Sequence, residues 1–259
     1  MPIQVERTDA GVVTITLDSP ERRNALDEEL ATQLRQAVRD VAADPGARCA
    51  VITGAGRAFC SGADLGEFRR QESGGVLPRR EMLGAYYRTF LDVRDLAVPT
   101  IAAVNGPAIG AGLNLALVCD LRIAGASARF GATFVRLGIH PGGGATYMLA
   151  RLLGPARAAE MLLGGELVDG ARALEMGLVN RLVDDADLAA TAAALAATIA
   201  ANAPRAVRAT KRALRLALDA DMAAMLEVEG LAQAATQESA DAGEGWAAFR
   251  ERRAPRFAE

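Results

Sequence analysis

Asn105-Gly106-Pro107-Ala108-Ile109-Gly110-Ala111-Gly112-Leu113-Asn114-Leu115 is the stretch whose reading decides the fold. The apolar run Ile101-Ala102-Ala103-Val104 before it reads as a buried strand, and the residues after Gly112 read as an apolar helix. A chain passing from strand to helix through closely spaced glycines aims unpaired N–H groups and the positive end of a helix dipole at one point. A dinucleotide site is the obvious competitor, but Gly106, Gly110 and Gly112 do not fit GxGxxG, and no GxxxxGKS/T occurs. The glycine spacing therefore argues against a nicotinamide oxidoreductase.

Working outward, the same order recurs upstream. Ala50-Val51-Ile52-Thr53 reads as a buried strand that enters Gly54-Ala55-Gly56, followed by Phe59-Cys60-Ser61-Gly62-Ala63-Asp64-Leu65. Val13, Ile15 and Leu17 alternate with Thr14 and Thr16 after a turn at Asp9-Ala10-Gly11, which predicts an opening hairpin. Asp27 is placed to cap a helix carrying Leu30, Leu34, Val38 and Val41 on one face, stopped by Asp44-Pro45-Gly46. Residues 71–80, with Gly74, Gly75, Pro78 and several charges, read as a mobile surface loop able to cover a ligand. From Pro155 onward helical patterns dominate, at 156–163, 170–176, 187–201, 206–218 and 221–237. The chain is thus α/β, and no repeat of about 20 to 50 residues is visible.

Composition narrows the function. The 259 residues are 51% hydrophobic, enough for one large core, and 29 basic against 32 acidic residues give a net charge of -3. That balance offers no global attraction to nucleic acid or anionic membranes, so an anionic ligand has to be caught locally. Cys49, Cys60 and Cys119 show no CxxC spacing, and the single His140 cannot complete a zinc cluster with them, so no metal site is expected. Free thiols, no export signal at the start and no apolar run of about 18 residues predict a cytoplasmic protein without a membrane span. Ser61 invites a nucleophile, but no GxSxG elbow surrounds it.

Together, Pro20-Glu21-Arg22-Arg23-Asn24-Ala25-Leu26, the 59–65 and 104–120 segments, the 130–144 segment and the tail from Trp246 to Phe257 resemble the enoyl-CoA hydratase/isomerase, or crotonase, family over nearly the whole chain. The resemblance implies a crotonase-type spiral of ββα units over residues 1–200 and a C-terminal helical trimerisation region over 201–259, assembled as a homotrimer or dimer of trimers. It also implies an acyl-CoA substrate, with coenzyme A arriving as part of the substrate rather than as a cofactor. The backbone N–H groups of Ala63 and Ala111 fall at the oxyanion-hole positions. Arg22 or Arg23, Ala25, Ser61, Ala63, Asp64 and Leu65 fall along the coenzyme A path, and Phe249 and Arg252 match tail positions that contact coenzyme A.

The sequence departs from the family where its hydratases carry two glutamates around one water. Asn114 and Phe134 stand there instead, and an amide can orient water but cannot exchange its proton near neutral pH. Gly142 stands where some isomerases and dehalogenases have aspartate. His140 is the titratable side chain of that loop, and an ordinary imidazole could serve as acid or base. These replacements predict a lyase or isomerase of the family whose main reaction is not hydration. The alternative is an acyl-CoA carrier that kept the fold and lost its acid and base.

Overall fold

A computed structural model describes residues 2–66 and 74–258. Strands β1 (Ile3–Arg7) and β2 (Val12–Leu17) form the expected antiparallel hairpin, with Ile3 opposite Leu17. The Asp27 carboxylate accepts from the Leu30 N–H at 2.8 Å and caps α1 (Glu28–Ala43). Leu30, Leu34, Val38 and Val41 are all buried, and at about 1.5–3 kcal/mol each their burial holds the helix against the sheet.

The chain continues through β3 (Cys49–Gly54), α2 (Val76–Asp95), β4 (Thr100–Val104), β5 (Pro107–Ile109), α3 (Ala111–Val118), β6 (Leu121–Gly125) and β7 (Arg129–Gly131). It ends through α4 (Ala145–Gly164), β8 (Leu167–Asp169), α5 (Gly170–Met176), β9 (Arg181–Val183), α6 (Leu188–Ala200), α7 (Pro204–Leu216), α8 (Met222–Gln237) and α9 (Ala240–Glu251). One sheet has the order β1-β2-β3-β4-β6-β9, parallel from β2 onward, and a second has the order β5-β7-β8. The central strands β3, β4 and β6 are buried on both faces, which explains their unbroken apolar runs. Ala50, Ile52, Ala102, Val104 and Ala124 face the main core, whereas Cys49, Val51, Ile101, Ala103 and Ile123 face Leu188, Ala192, Ala196 and Ala200 of α6. This period-2 division sets one face of the strands against α6, whose alanines let it approach closely.

Several sequence expectations need correction. Val76 to Arg80 are not loop but the first turns of α2, in which Pro78 is tolerated because early helix positions need no N–H acceptor; of that expected loop Gly74 and Gly75 remain outside the helix, and residues 71–73 lie outside the described residues. The 156–163 pattern is the second half of α4, which kinks at Gly154 (φ 76°, ψ 165°) just before Pro155. The helix expected from Leu113 to Cys119 begins two residues earlier, at Ala111. The tail forms a further helix, α9, capped by the Ser239 hydroxyl. Among the described residues no single helix is long and apolar enough to cross a membrane, and the three cysteines are free and buried. Burial pushes each thiol up to about 12.

Candidate functional site

Two asparagines build the first wall of the site. Asn24, buried and in a left-handed conformation (φ 54°), donates through Nδ2 to the carbonyls of Ala58 (2.8 Å), Ala55 (3.0 Å) and Phe59 (3.3 Å). Asn105 accepts from the Gly54 N–H at 3.2 Å and donates to the Gly56 carbonyl at 3.0 Å. The turn after β3 is therefore pinned from two sides. The chain leaving it pairs with β5, Cys60 N to Pro107 O and Ile109 N to Cys60 O, both 3.0 Å. A Cβ on Gly112 would lie 2.0 Å from the Cys60 carbonyl oxygen, so glycine there is the condition for the two glycine-rich segments to meet.

That meeting leaves two amides over. In the parallel bridge between Leu26 and Ala63, the bonds are Leu26 N to Gly62 O (2.7 Å) and Asp64 N to Leu26 O (3.4 Å). They use residues 62 and 64, so the Ala63 N–H turns away from Leu26. In α3 the first intrahelical bond runs from Asn114 N to Gly110 O at 3.0 Å, leaving the Ala111 N–H among the first-turn orphans. Among the described residues neither N–H has an acceptor. A Cβ on Gly62 would lie 3.5 Å from the Ala111 nitrogen, so the two segments are in contact at this point.

Comparison with known proteins identifies the family. The enoyl-CoA hydratase/isomerase family model matches residues 7–259. A putative enoyl-CoA hydratase of Thermus thermophilus is 40% identical over 98% of this chain and 100% of its own length. The 1,2-epoxyphenylacetyl-CoA isomerase of Escherichia coli is 38% identical over 99% of this chain and 98% of its own. The crystal structure of an enoyl-CoA hydratase from Bacillus anthracis superimposes with a TM-score of 0.95 at 35% identity, covering 99% of both chains. The chain belongs to the enoyl-CoA hydratase/isomerase family. Its fold is the crotonase-type spiral with helices at the C-terminal end.

Within that family fold, the remaining sequence candidates distribute unevenly. Asn114, 1% exposed, donates through Nδ2 to the Gly142 carbonyl at 2.9 Å, which fixes the amide and leaves its buried Oδ1 without a partner among the described residues. The Phe134 ring lies 3.9 Å from where a Gly110 Cβ would stand, an apolar wall beside the start of α3. His140 is exposed and makes no hydrogen bond or ion pair with the described residues, so the structure does not tie it to Asn114. Ser61 donates to the Arg22 carbonyl at 3.4 Å, a backbone contact with no base beside it. Arg22 forms ion pairs with Asp27 and Asp64. Arg23 is exposed beside them, Ala25 is half-buried and Leu65 is exposed. Phe249, 77% exposed, and Arg252, at the left-handed end of α9, lie on the tail. Asp120, just after α3, accepts from the Thr100 N–H at 2.8 Å and pairs with the buried Lys211 at 2.6 Å.

Sequence reasoning missed Asn24 and Asn105 as the residues that shape the turn, and it missed Tyr87. A Cβ on Gly142 would lie 2.2 Å from the Tyr87 hydroxyl. The left-handed propensity of asparagine offered a signal for Asn24, whereas no spacing joins Tyr87 to Gly142.

Proposed function

We propose that this chain is an acyl-CoA enzyme of the enoyl-CoA hydratase/isomerase type that stabilises a thioester enolate between the Ala63 and Ala111 amides, and that hydration is not its main reaction. The observation that carries the reading is the pair of unbonded amides on two touching, glycine-flanked turns. Charge developing on a thioester oxygen there would meet preorganised donors, the loss of one such donor costing about 2.7–4 kcal/mol of barrier in comparable sites. The positive end of α3 adds to the same field. Coenzyme A would run past Arg23, Ala25, Ser61, Ala63, Asp64 and Leu65, with Arg22 held in its ion pairs as part of the wall, and Phe249 and Arg252 would close it from the tail.

Asn114 and Phe134 argue against hydration, because neither can pass a proton to or from water. With 2-enoyl-CoA the expected hydration rate lies about 10²- to 10⁴-fold below that of a two-glutamate relative, and a comparable rate would overturn this part of the reading. His140→Ala in a product screen over enoyl-, dienoyl- and malonyl-type thioesters decides whether the imidazole participates, since unchanged turnover removes it. The same absence of carboxylates supports a second reading, an acyl-CoA carrier: calorimetry showing tight binding with no product across that screen favours it, and robust turnover ends it.

A further inference from the structure

Gly142 leaves a space beside Asn114, and that space is filled from another element. The hydroxyl of Tyr87, on α2, stands 2.2 Å from where a Cβ of residue 142 would begin, and its ring carbon Cζ stands 3.0 Å away. A larger residue at 142 would have to displace the Tyr87 hydroxyl. The ring is held in place: its centroid is 6.1 Å from that of Phe90 and 6.5 Å from that of Tyr86, and Phe90 in turn reaches within 2.5 Å of where a Gly143 Cβ would stand. Asn114 donates to the Gly142 carbonyl from α3, the helix whose first residue is Ala111, so Tyr87 and the Ala111 amide are joined through one side chain and one turn. The hydroxyl meets the Gly143 backbone N–H and donates to no acceptor among the described residues.

We propose, resting on the acyl-CoA reading above, that the Tyr87 hydroxyl is the side-chain hydrogen-bond donor of the acyl site, selecting acyl groups that carry an acceptor oxygen beyond the thioester. The phenol is suited to donate. Burial pushes its pKa above the ordinary tyrosine value, with the Gly143 N–H opposing, so the proton stays on oxygen at neutral pH. A fixed neutral donor rewards an oxygen and gives nothing to a methylene.

The test compares the affinities of 3-oxobutyryl-CoA and butyryl-CoA by calorimetry on the full chain. In Tyr87→Phe the preference for the 3-oxo compound is expected to fall about tenfold, the effect of one hydrogen bond, with butyryl-CoA affinity within about twofold of the parent. Gly142→Ala, whose Cβ displaces the hydroxyl, is expected to lower the preference similarly and to add nothing further in the Tyr87→Phe background. A purely structural role would weaken both ligands equally, so an unchanged preference in Tyr87→Phe, or effects of the two substitutions that multiply, overturns the proposal while leaving the acyl-CoA reading intact. Failure of the parent protein to bind either thioester overturns that reading and this proposal with it.

Discussion

At the scale of single residues, the candidate site depends on side chains that hold its backbone in place. Asn24 satisfies three carbonyls of one turn through a single amide nitrogen. Asn24→Ala leaves them to find water in a buried place and is expected to cost about 2–3 kcal/mol, read as a lower midpoint in denaturant unfolding. Asn24→Asp should cost at least as much, because a carboxylate cannot donate there. A midpoint unchanged by either substitution would remove the turn-pinning role. Gly112 sets a steric condition: its missing Cβ lets the Cys60 carbonyl approach, whereas Asn114 carries a polar one by holding Gly142. Of the site's residues, the glycine turns were legible from sequence, because glycine needs no context to permit close backbone approach, whereas Ala63 and Ala111 were singled out only by the family resemblance. Tyr87 and Asn24 were not, since what they do depends on a partner 55 and about 30 residues away in the chain.

At the scale of elements, α3 joins the two halves of the argument. Its first turn carries the Ala111 amide, and Asp120, just beyond its end, holds Lys211 of α7, which also donates to the Val98 carbonyl at 2.6 Å. The Lys211 side chain is only 6% exposed, and its burial lowers the ammonium pKa while Asp120 opposes the shift. Lys211→Met strips a partly buried carboxylate of its nearer cation, leaving only Arg215 at 3.7 Å among the described residues, and is expected to destabilise on the order of 3 kcal/mol. Combining it with Asp120→Asn should cost less than the sum of the two single changes, checked by a double-mutant cycle of thermal melts. Additive losses would mean that Lys211 and Asp120 do not stabilise the fold through each other. Elements with their own pattern, such as the capped and amphipathic α1, were readable in the sequence. The first turns of α2 were not, because Gly74, Gly75 and Pro78 mimic loop chemistry while the helix is held by what Phe90 and Val93 bury farther along.

At the scale of the whole molecule, α7 to α9 leave an apolar face open to solvent. Leu214, Met222, Leu226, Leu231, Trp246 and Phe249 are each more than half exposed, more than isolated surface hydrophobes explain. Light scattering is expected to give three or six copies of the chain, and Leu231→Glu with Trp246→Glu to shift the species toward smaller assemblies. A strict monomer for the unaltered protein would contradict the assembly proposed from the family resemblance.

By itself the sequence determined the α/β order, the opening hairpin, the capped first helix and the two glycine-rich turns, because each is written in local rules of period, cap and backbone permission. It also determined family membership, since several separate motifs occur in one order. Tertiary structure alone decided that the Ala63 and Ala111 amides are left unbonded on touching segments, that Asn24 and Asn105 pin the turn between them, and that Tyr87 fills the space Gly142 leaves. Contacts between distant elements obey packing, which depends on where whole helices and sheets come to rest, and no spacing along the chain encodes that.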